Sequence, residues 1–119
     1  MWVIQAQEYK QHMCHTRILC QTPSTTVSQC TSCGKFFIWH RNILLHFGNQ
    51  EFYLFVAHIK QYVFEQRAFC FPDGEHRLVM NAASPEISLA FTGEEWEDLM
   101  DVLTEATYLG NVYDILNGC

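Results

Sequence analysis

The feature that most constrains the fold is a change of apolar spacing that occurs twice in the chain. In both places apolar residues first recur at every second position, which puts their side chains on one face of a β-strand. These residues are Ile43, Leu45 and Phe47 in the first copy and Ile87, Leu89 and Phe91 in the second, 44 positions later. Two strands with the same pattern are therefore expected.

After each strand the spacing changes to three and four residues, which is the stripe of an amphipathic helix. The stripe is Phe52, Phe55, Val56 and Ile59 in the first copy and Trp96, Leu99, Met100 and Leu103 in the second. Thr92 and Glu95 have the spacing of a capping box, so the second helix is predicted to begin at about Gly93. In the first copy Asn49 is the predicted N-cap of a helix that runs to about Phe64.

Each copy also has an apolar stretch in front of its strand, at residues 35–39 and 77–80, followed by turn residues. Two apolar runs around a turn are typical of a hairpin. The pattern therefore predicts a unit of strand, hairpin, strand and helix, used in residues 35–64 and again in residues 77–106. Unrelated amphipathic units can agree by coincidence, but here the strand register, the turn and the helix phase all agree, which favours a duplication.

The expected fold class is α+β, with an antiparallel sheet of about four main strands and both helices on one face. With 119 residues and a 49% hydrophobic composition, the chain has the size and apolar content of one domain. In front of the first copy, residues 16–21 and 25–29 flank a Thr-Pro-Ser turn, so residues 13–34 are predicted to contain a further hairpin. Residues 107–119 form a tail.

This N-terminal hairpin leads into the sequence Cys-Thr-Ser-Cys-Gly at residues 30–34. Two thiols at this spacing, at a tight turn before a strand, bind one tetrahedral metal ion from the same side. A structural zinc site needs four ligands, and the other concentration of ligand residues is the segment His-Met-Cys-His at residues 12–15, followed by Cys20. Because the two ends of a hairpin lie close together, Cys14 or His15 is expected beside Cys30.

The predicted zinc site, a knuckle like that of a zinc ribbon, consists of Cys14, His15, Cys30 and Cys33. Adjacent residues rarely bind one ion because their side chains diverge, so His12 or Cys20 remains an alternative fourth ligand. A rubredoxin-type iron site needs four thiolates and would require Cys20. The competing interpretation is a turn with two thiols and no metal.

A redox dithiol is the catalytic alternative for Cys30 and Cys33. A thioredoxin-like dithiol needs its first cysteine at a helix N-terminus, which lowers the thiol pKa, whereas this motif leads into a strand-like segment. The sequence has no Gly-x-Ser-x-Gly elbow, phosphate loop or His-Glu-x-x-His segment, so an enzyme is not favoured. His46 and His58 fall outside the apolar faces, and Cys70, between two phenylalanines, is predicted to be buried.

Charge and length restrict the partners and the location. Seven Lys and Arg against thirteen Asp and Glu give a net charge of −6, which disfavours nucleic acid and anionic membranes because both need a basic surface. No apolar run approaches the roughly 20 residues that cross a bilayer, and residues 1–5 have neither a basic n-region nor a long apolar h-region, so no secretion signal is expected. A cytoplasmic protein is expected, in which the six cysteines do not form disulfides. The acidic residues of the second helix are predicted to be mostly solvated, with a basic protein partner as the alternative.

Three short stretches resemble a small uncharacterised bacterial family, chiefly from Bacteroidetes. They are Met-Cys-His at residues 13–15, Cys-Thr-Ser-Cys-Gly at residues 30–34 and Ile-Leu-Leu-His-Phe-Gly-Asn at residues 43–49. Members of that family are short, carry a Cys-x-x-Cys and have no assigned activity. The resemblance extends through the second unit and implies a metal-binding protein without a known mechanism. It also suggests that Met13 is the original start and that residues 1–12 are an extension.

Together these patterns favour a small zinc-stabilised, non-enzymatic module that acts through protein contacts. One alternative is a thiol-dependent redox enzyme that uses Cys30 or Cys33. The other is a metal-free homodimer joined through a sheet edge or through the apolar tail at residues 108–116, since an edge strand has to be covered.

Overall fold

The computed structural model describes residues 15–82 and 84–116. The expectations for His12, Cys14 and residues 1–12 therefore lie outside the described residues. The strands are β1 (Thr16–Gln21), β2 (Thr25–Cys30), β3 (Phe36–His40), β4 (Ile43–Phe47), β5 (Ala68–Cys70), β6 (His76–Asn81) and β7 (Ser88–Thr92). The helices are α1 (Asn49–Ile59), α2 (Phe64–Arg67) and α3 (Gly93–Leu116).

The strands form two antiparallel sheets, which confirms the α+β class. The first sheet has the order β1-β2-β3-β4 and the second the order β5-β6-β7. The predicted hairpins are all present, but the two repeated hairpins do not share one sheet. Instead β3 pairs with β2 and β6 pairs with β5, while β4 and β7 remain edge strands of two separate sheets.

One core fills the space between the sheets and the two long helices. Val27 lies opposite Ile38 on the inner face of the first sheet, and both are buried together with Phe52 of α1 and Leu103 of α3. Helix α3 packs on β1, β2, β6 and β7, whereas α1 packs on β4. Each large apolar side chain that is fully removed from water contributes roughly 1.5 to 3 kcal/mol, so this shared core is the main stabilisation of the fold.

The two helices differ in length and begin as expected only in the second copy. At α3 the Thr92 amide donates to Glu95 Oε1 (2.9 Å) and the Glu95 amide donates to Thr92 Oγ1 (3.2 Å), which confirms the capping box. At α1 the N-cap is Gly48, not Asn49, and the Gly48 amide donates to Glu51 Oε1 (2.8 Å). The prediction of Asn49 was wrong because a glycine N-cap offers no side-chain acceptor and so gives a weaker sequence signal.

Both helix lengths also differ from the expectation. Helix α1 ends at Ile59 after 11 residues, short of the expected Phe64, and a separate short helix follows. Helix α3 continues for 24 residues to Leu116, so residues 107–116 of the expected tail belong to it. Residues 104–116 consequently have no counterpart in α1.

Two carboxylates near the start of α3 are bound to turns of the first sheet. Asp98 Oδ2 accepts hydrogen bonds from the hydroxyls of Thr22 and Ser24, each at 2.8 Å, in the β1–β2 turn. Glu95 Oε2 lies 3.0 Å from Arg41 Nη2 in the β3–β4 turn, where Arg41 has a φ of 57°. The acidic face of α3 is thus partly engaged with the sheet.

Candidate metal centre

The Cys-x-x-Cys sequence forms the turn between β2 and β3. Cys30 is the last residue of β2, and its amide donates to the Lys35 carbonyl at 2.8 Å. The Gly34 amide donates back to the Cys30 carbonyl at 3.0 Å, and Gly34 has a φ of 79°. That left-handed backbone favours glycine, which explains why a glycine follows the second cysteine.

Within this turn the backbone of Cys33 contacts the side chain of Cys30. The Cys33 amide donates to Cys30 Sγ at a donor–acceptor distance of 3.3 Å. A hydrogen bond donated to sulfur favours negative charge on it, and the thiolate is the form that binds a metal. Cys30 is buried and Cys33 is exposed, so the turn has one buried and one exposed cysteine.

The β1–β2 pairing brings the beginning of β1 beside the same turn. Thr16 lies opposite Cys30, and the His15 carbonyl accepts from both the Thr31 amide (2.7 Å) and the Thr31 hydroxyl (3.0 Å). The predicted closure of this hairpin is therefore correct for His15. Cys14, its covalent neighbour, lies outside the described residues.

Cys20 is on the wrong side of the sheet to share an ion with Cys30. It lies opposite Val27, whose side chain is in the core, and alternation along β2 puts Val27 and Cys30 on opposite faces. Burial and the nearby Glu105 carboxylate raise the pKa of the Cys20 thiol to about 11. A protonated thiol is a poor ligand, so the four-thiolate alternative that needs Cys20 is disfavoured.

The other candidate residues do not form a metal site among the described residues, and the prediction for Cys70 is wrong. Within residues 15–82 and 84–116 no group of three or more His, Cys, Asp or Glu side chains is arranged to hold a metal ion. His46 and His58 are exposed, as expected. Cys70 is exposed in β5 rather than buried, because β5 is a three-residue edge strand whose burial is slight.

The sequence pattern placed His40 among the turn residues after position 39, but it is buried at the end of β3. A hydrogen bond of 2.9 Å joins His40 Nδ1 and Thr25 Oγ1, and the ring packs edge-on against Phe91 with centroids 5.2 Å apart. Burial lowers the pKa of His40; Arg41 also lowers it, while Glu95 and Asp98 oppose the shift. Its position two residues after Ile38, on the inward face of β3, is the signal that could have found it.

The fold and the turn together define a small α+β domain with a Cys-x-x-Cys turn at the edge of its core. The chain belongs to the family of unknown function DUF6686, which it matches over residues 13–117. No curated protein and no solved structure matches it significantly. In the part of the chain that the structure describes, no helix combines the length and apolar character needed to cross a bilayer.

Proposed function

We propose that this chain is a zinc-stabilised, non-enzymatic interaction domain whose ion is held by Cys14, His15, Cys30 and Cys33. The observation that carries the proposal is the hydrogen bond from the Cys33 amide to Cys30 Sγ at 3.3 Å. This hydrogen bond fixes the Cys30 thiol at a turn that contains Gly34, whose backbone has the left-handed conformation. This arrangement suits two ligands of one tetrahedral ion.

The third ligand follows from the covalent chain. Consecutive Cα atoms are about 3.8 Å apart, so Cys14 is tethered within that distance of the Cα of His15. His15 is in turn hydrogen-bonded to Thr31, the residue after Cys30. For this reason the proposal takes Cys14, the residue before His15, as the third ligand.

The fourth ligand is a histidine. His15 directly precedes β1, and its carbonyl accepts from the Thr31 amide, but two adjacent residues rarely bind one ion because their side chains diverge. His12 is therefore the competitor, and the variants His12→Ala and His15→Ala compare the two directly. The variant that loses metal identifies the ligand.

An ion at this position would join the start of β1 to the β2–β3 turn. A structural ion stabilises the folded chain because its ligands are brought together only there. At a free zinc concentration a thousandfold above the Kd of the folded chain, binding would raise the free energy of unfolding by about 4 kcal/mol. The proposed role of the metal is therefore to hold the first hairpin in the sheet.

Elemental analysis of untagged protein tests the site. We expect one zinc per chain, lost in Cys30→Ser and in Cys33→Ser and retained in Cys70→Ser, which removes an exposed thiol elsewhere. A chelator should lower the melting temperature of the wild type and of Cys70→Ser, but not that of Cys33→Ser. Substoichiometric zinc that is the same in all variants would contradict the proposal.

For the interaction part of the proposal, a second copy of the chain is the favoured partner. Ile18, Trp39 and Leu44 are 58%, 48% and 40% exposed, and the strand register puts all three on the outer face of the first sheet. No residue at the outward register positions of β1–β4 is acidic, although the chain has a net charge of −6. Two copies can therefore meet through this face without the repulsion that acts between the rest of their surfaces.

Sedimentation at rising concentration tests this contact. We expect self-association that Trp39→Ser weakens and that Ile115→Ser, an exposed position at the end of α3, leaves unchanged. Self-association that is weakened by Ile115→Ser and not by Trp39→Ser would place the contact at the end of α3 instead. A monomer at high concentration would remove the homodimer.

The redox alternative has less support because the turn between β2 and β3 is not a helix N-terminus. Thiol alkylation measured across pH separates the two ideas. An activated Cys30 or Cys33 would show a pKa well below the free value of about 8.5, whereas our proposal expects slow alkylation until the metal is removed.

A further inference from the structure

A cleft of about 610 Å³ lies between β4 and the second sheet, with α1 beside it. Strand β4 is an edge of the first sheet, so the cleft lies where the two sheets fail to join. It shares no residue with the Cys-x-x-Cys turn. Its volume is within the range of about 300 to 1,000 Å³ that is typical of small-molecule sites.

The floor of the cleft is apolar and preformed. Leu45, Phe55, Met80 and Leu89 line it, and all four pack on the core. The ring of Phe55 is stacked on Phe47 with centroids 4.6 Å apart. An apolar body of a ligand would therefore replace water on a surface that is already fixed.

The polar side chains around this floor are those of His46, His58, Tyr62, Arg67 and Asn81. Arg67 carries a formal positive charge, and no carboxylate is among the described residues that line the cleft. Asn81 Oδ1 accepts from the Ser88 hydroxyl (3.2 Å), which leaves its amide hydrogens as donors to the cleft. In a chain of net charge −6, the Arg67 guanidinium makes the described lining of this cleft locally positive.

Arg67 is held in place without being neutralised. Its guanidinium lies over the Tyr62 ring, 3.9 Å from the centroid, and Tyr62 is itself stacked on Trp96 (6.1 Å) and hydrogen-bonded to His58 Nε2 (3.0 Å). Among the described residues the ion pairs are those of Arg41 and Arg77, so Arg67 has no carboxylate partner there. Its donors remain available for an anion.

We propose that this cleft binds a small amphipathic carboxylate, with the apolar body on the floor and the carboxylate on Arg67 and the neighbouring donors. A guanidinium binds a carboxylate through two parallel charge-assisted hydrogen bonds. Stacking on Tyr62 restricts the Arg67 side chain before the ligand arrives, which reduces the entropy lost on binding. The described residues that line the cleft offer no carboxylate to a cationic ligand of the same shape.

Calorimetric titration with three ten-carbon probes tests the charge preference. Decanoate, decan-1-ol and decyltrimethylammonium are compared below their aggregation limits. Decanoate should bind at least about tenfold more tightly than decan-1-ol, which is the usual gain of a hydrogen bond to a charged group, and the cation should bind most weakly. Equal affinity for all three would reduce the cleft to nonspecific adsorption and overturn the proposal.

Paired variants locate the anion contact. Arg67→Gln should weaken decanoate binding about tenfold or more and leave decan-1-ol unchanged, while Arg67→Lys should retain part of the preference. Lys60→Gln removes a positive charge just after α1, from a residue that does not line the cleft, and is the matched control. Equal effects of Arg67→Gln and Lys60→Gln would contradict a specific contact.

Methyl NMR signals place the ligand and monitor the fold of each variant. Decanoate should shift the methyl resonances of Met80 and Leu89 in the wild type and in Cys33→Ser alike, because the cleft does not use the metal ligands. Shifts confined to Ile18, on the outer face of β1 and away from the cleft, would place the ligand elsewhere and overturn the assignment. A wild-type protein that contains no zinc but binds decanoate would contradict only the metal proposal.

Discussion

The two units of strand, hairpin, strand and helix, β3–β4–α1 and β6–β7–α3, share their local structure and differ in their surroundings. The N-caps, Gly48 and Thr92, are 44 positions apart, as are the glutamates that accept from their amides. Yet the first hairpin belongs to a four-stranded sheet and the second to a three-stranded one. The apolar pattern within each unit thus determines its strands and its helix. The strand that precedes the unit in the sequence determines which sheet the hairpin joins.

The helices of the two units also do different work. Helix α1 packs mainly on its own hairpin, but α3 reaches β1 and β2 in the other sheet. Residues 104–116, which have no equivalent in α1, include Gly110, where α3 approaches Tyr53 and Phe36 of the first unit. The longer helix is therefore the part that holds the two units together.

The largest effects are expected from Phe52→Ala and Trp96→Ala, at matching positions of the two units. Phe52 is fully buried and stacks on Phe36 at 4.0 Å, and Trp96 is buried against Phe91 and Tyr62. Each substitution should lower the free energy of unfolding by about 3 to 5 kcal/mol, measured by urea denaturation. A loss below about 1 kcal/mol in either would show that the two positions are not equivalent anchors.

Gly110→Ala tests how closely the extension of α3 contacts the first unit. A Cβ there would lie 2.6 Å from Tyr53 Oη and 3.3 Å from Phe36 Cζ. Overpacking should cost about 1 to 3 kcal/mol, more than the roughly 1 kcal/mol that alanine gains in helix propensity.

The double variant with Tyr53→Phe is the control for Gly110→Ala. Tyr53 Oη is buried without a partner among the described residues, so removing it both makes room and removes an unsatisfied polar atom. The cost of Gly110→Ala should fall by more than about 0.5 kcal/mol in that background. If the effects of Gly110→Ala and Tyr53→Phe on the free energy of unfolding simply add, the Tyr53 hydroxyl is not what opposes the added methyl group.

The contact between the units through His40 and Phe91 should make stability depend on pH. Burial lowers the pKa of His40 below the ordinary value of about 6.5, so the folded chain binds fewer protons than the unfolded chain in that range. Stability is then complete above about pH 6.5 and falls on acidification toward the folded pKa, by at most about 1.4 kcal/mol per pH unit. His40→Asn should flatten this slope, whereas the exposed His58→Asn should not.

The smallest effects are expected at the two N-caps. Thr92→Ala should cost about 1 kcal/mol, and Gly48→Thr should gain a few tenths of a kcal/mol by supplying the missing acceptor. Thermal unfolding of the pair measures both. A loss of stability in Gly48→Thr would show that the Glu51 carboxylate, which would lie 3.0 Å from a Cβ at position 48, resists the added side chain.

The elements of the fold were predictable where burial follows a clear period. Both strand–helix pairs were found because their inward residues are large and apolar. The pairing of β2 with β3 was not found, because the buried residues of β2 include Thr25, Ser28 and Gln29, whose polarity disguises a central strand. The extension of α3 was missed for a related reason, since its buried positions include Ala106 and Gly110.

Of the candidate sites, the turn was predictable and the cleft was not. Cysteine spacing and the following glycine specify a local turn, and the hairpin brings His15 to it. Excluding Cys20 required the strand register, which shifts at an irregularity between Ile18 and Cys20. The cleft gathers residues from β4, α1, α2 and the second sheet, and no pattern along the chain links them.

The hydrogen bonds of Asp98 to the β1–β2 turn have a consequence for synthesis. They span 74 and 76 residues, and at roughly 5 to 20 residues per second the ribosome needs several seconds to make that length. The four strands of the first sheet can pair within microseconds of emerging, and α1 can then cover part of their apolar face, but the part that α3 covers stays exposed until α3 is made. A nascent chain that stalls before Gly93 should therefore be a substrate for chaperones, although every strand of its first sheet is already complete.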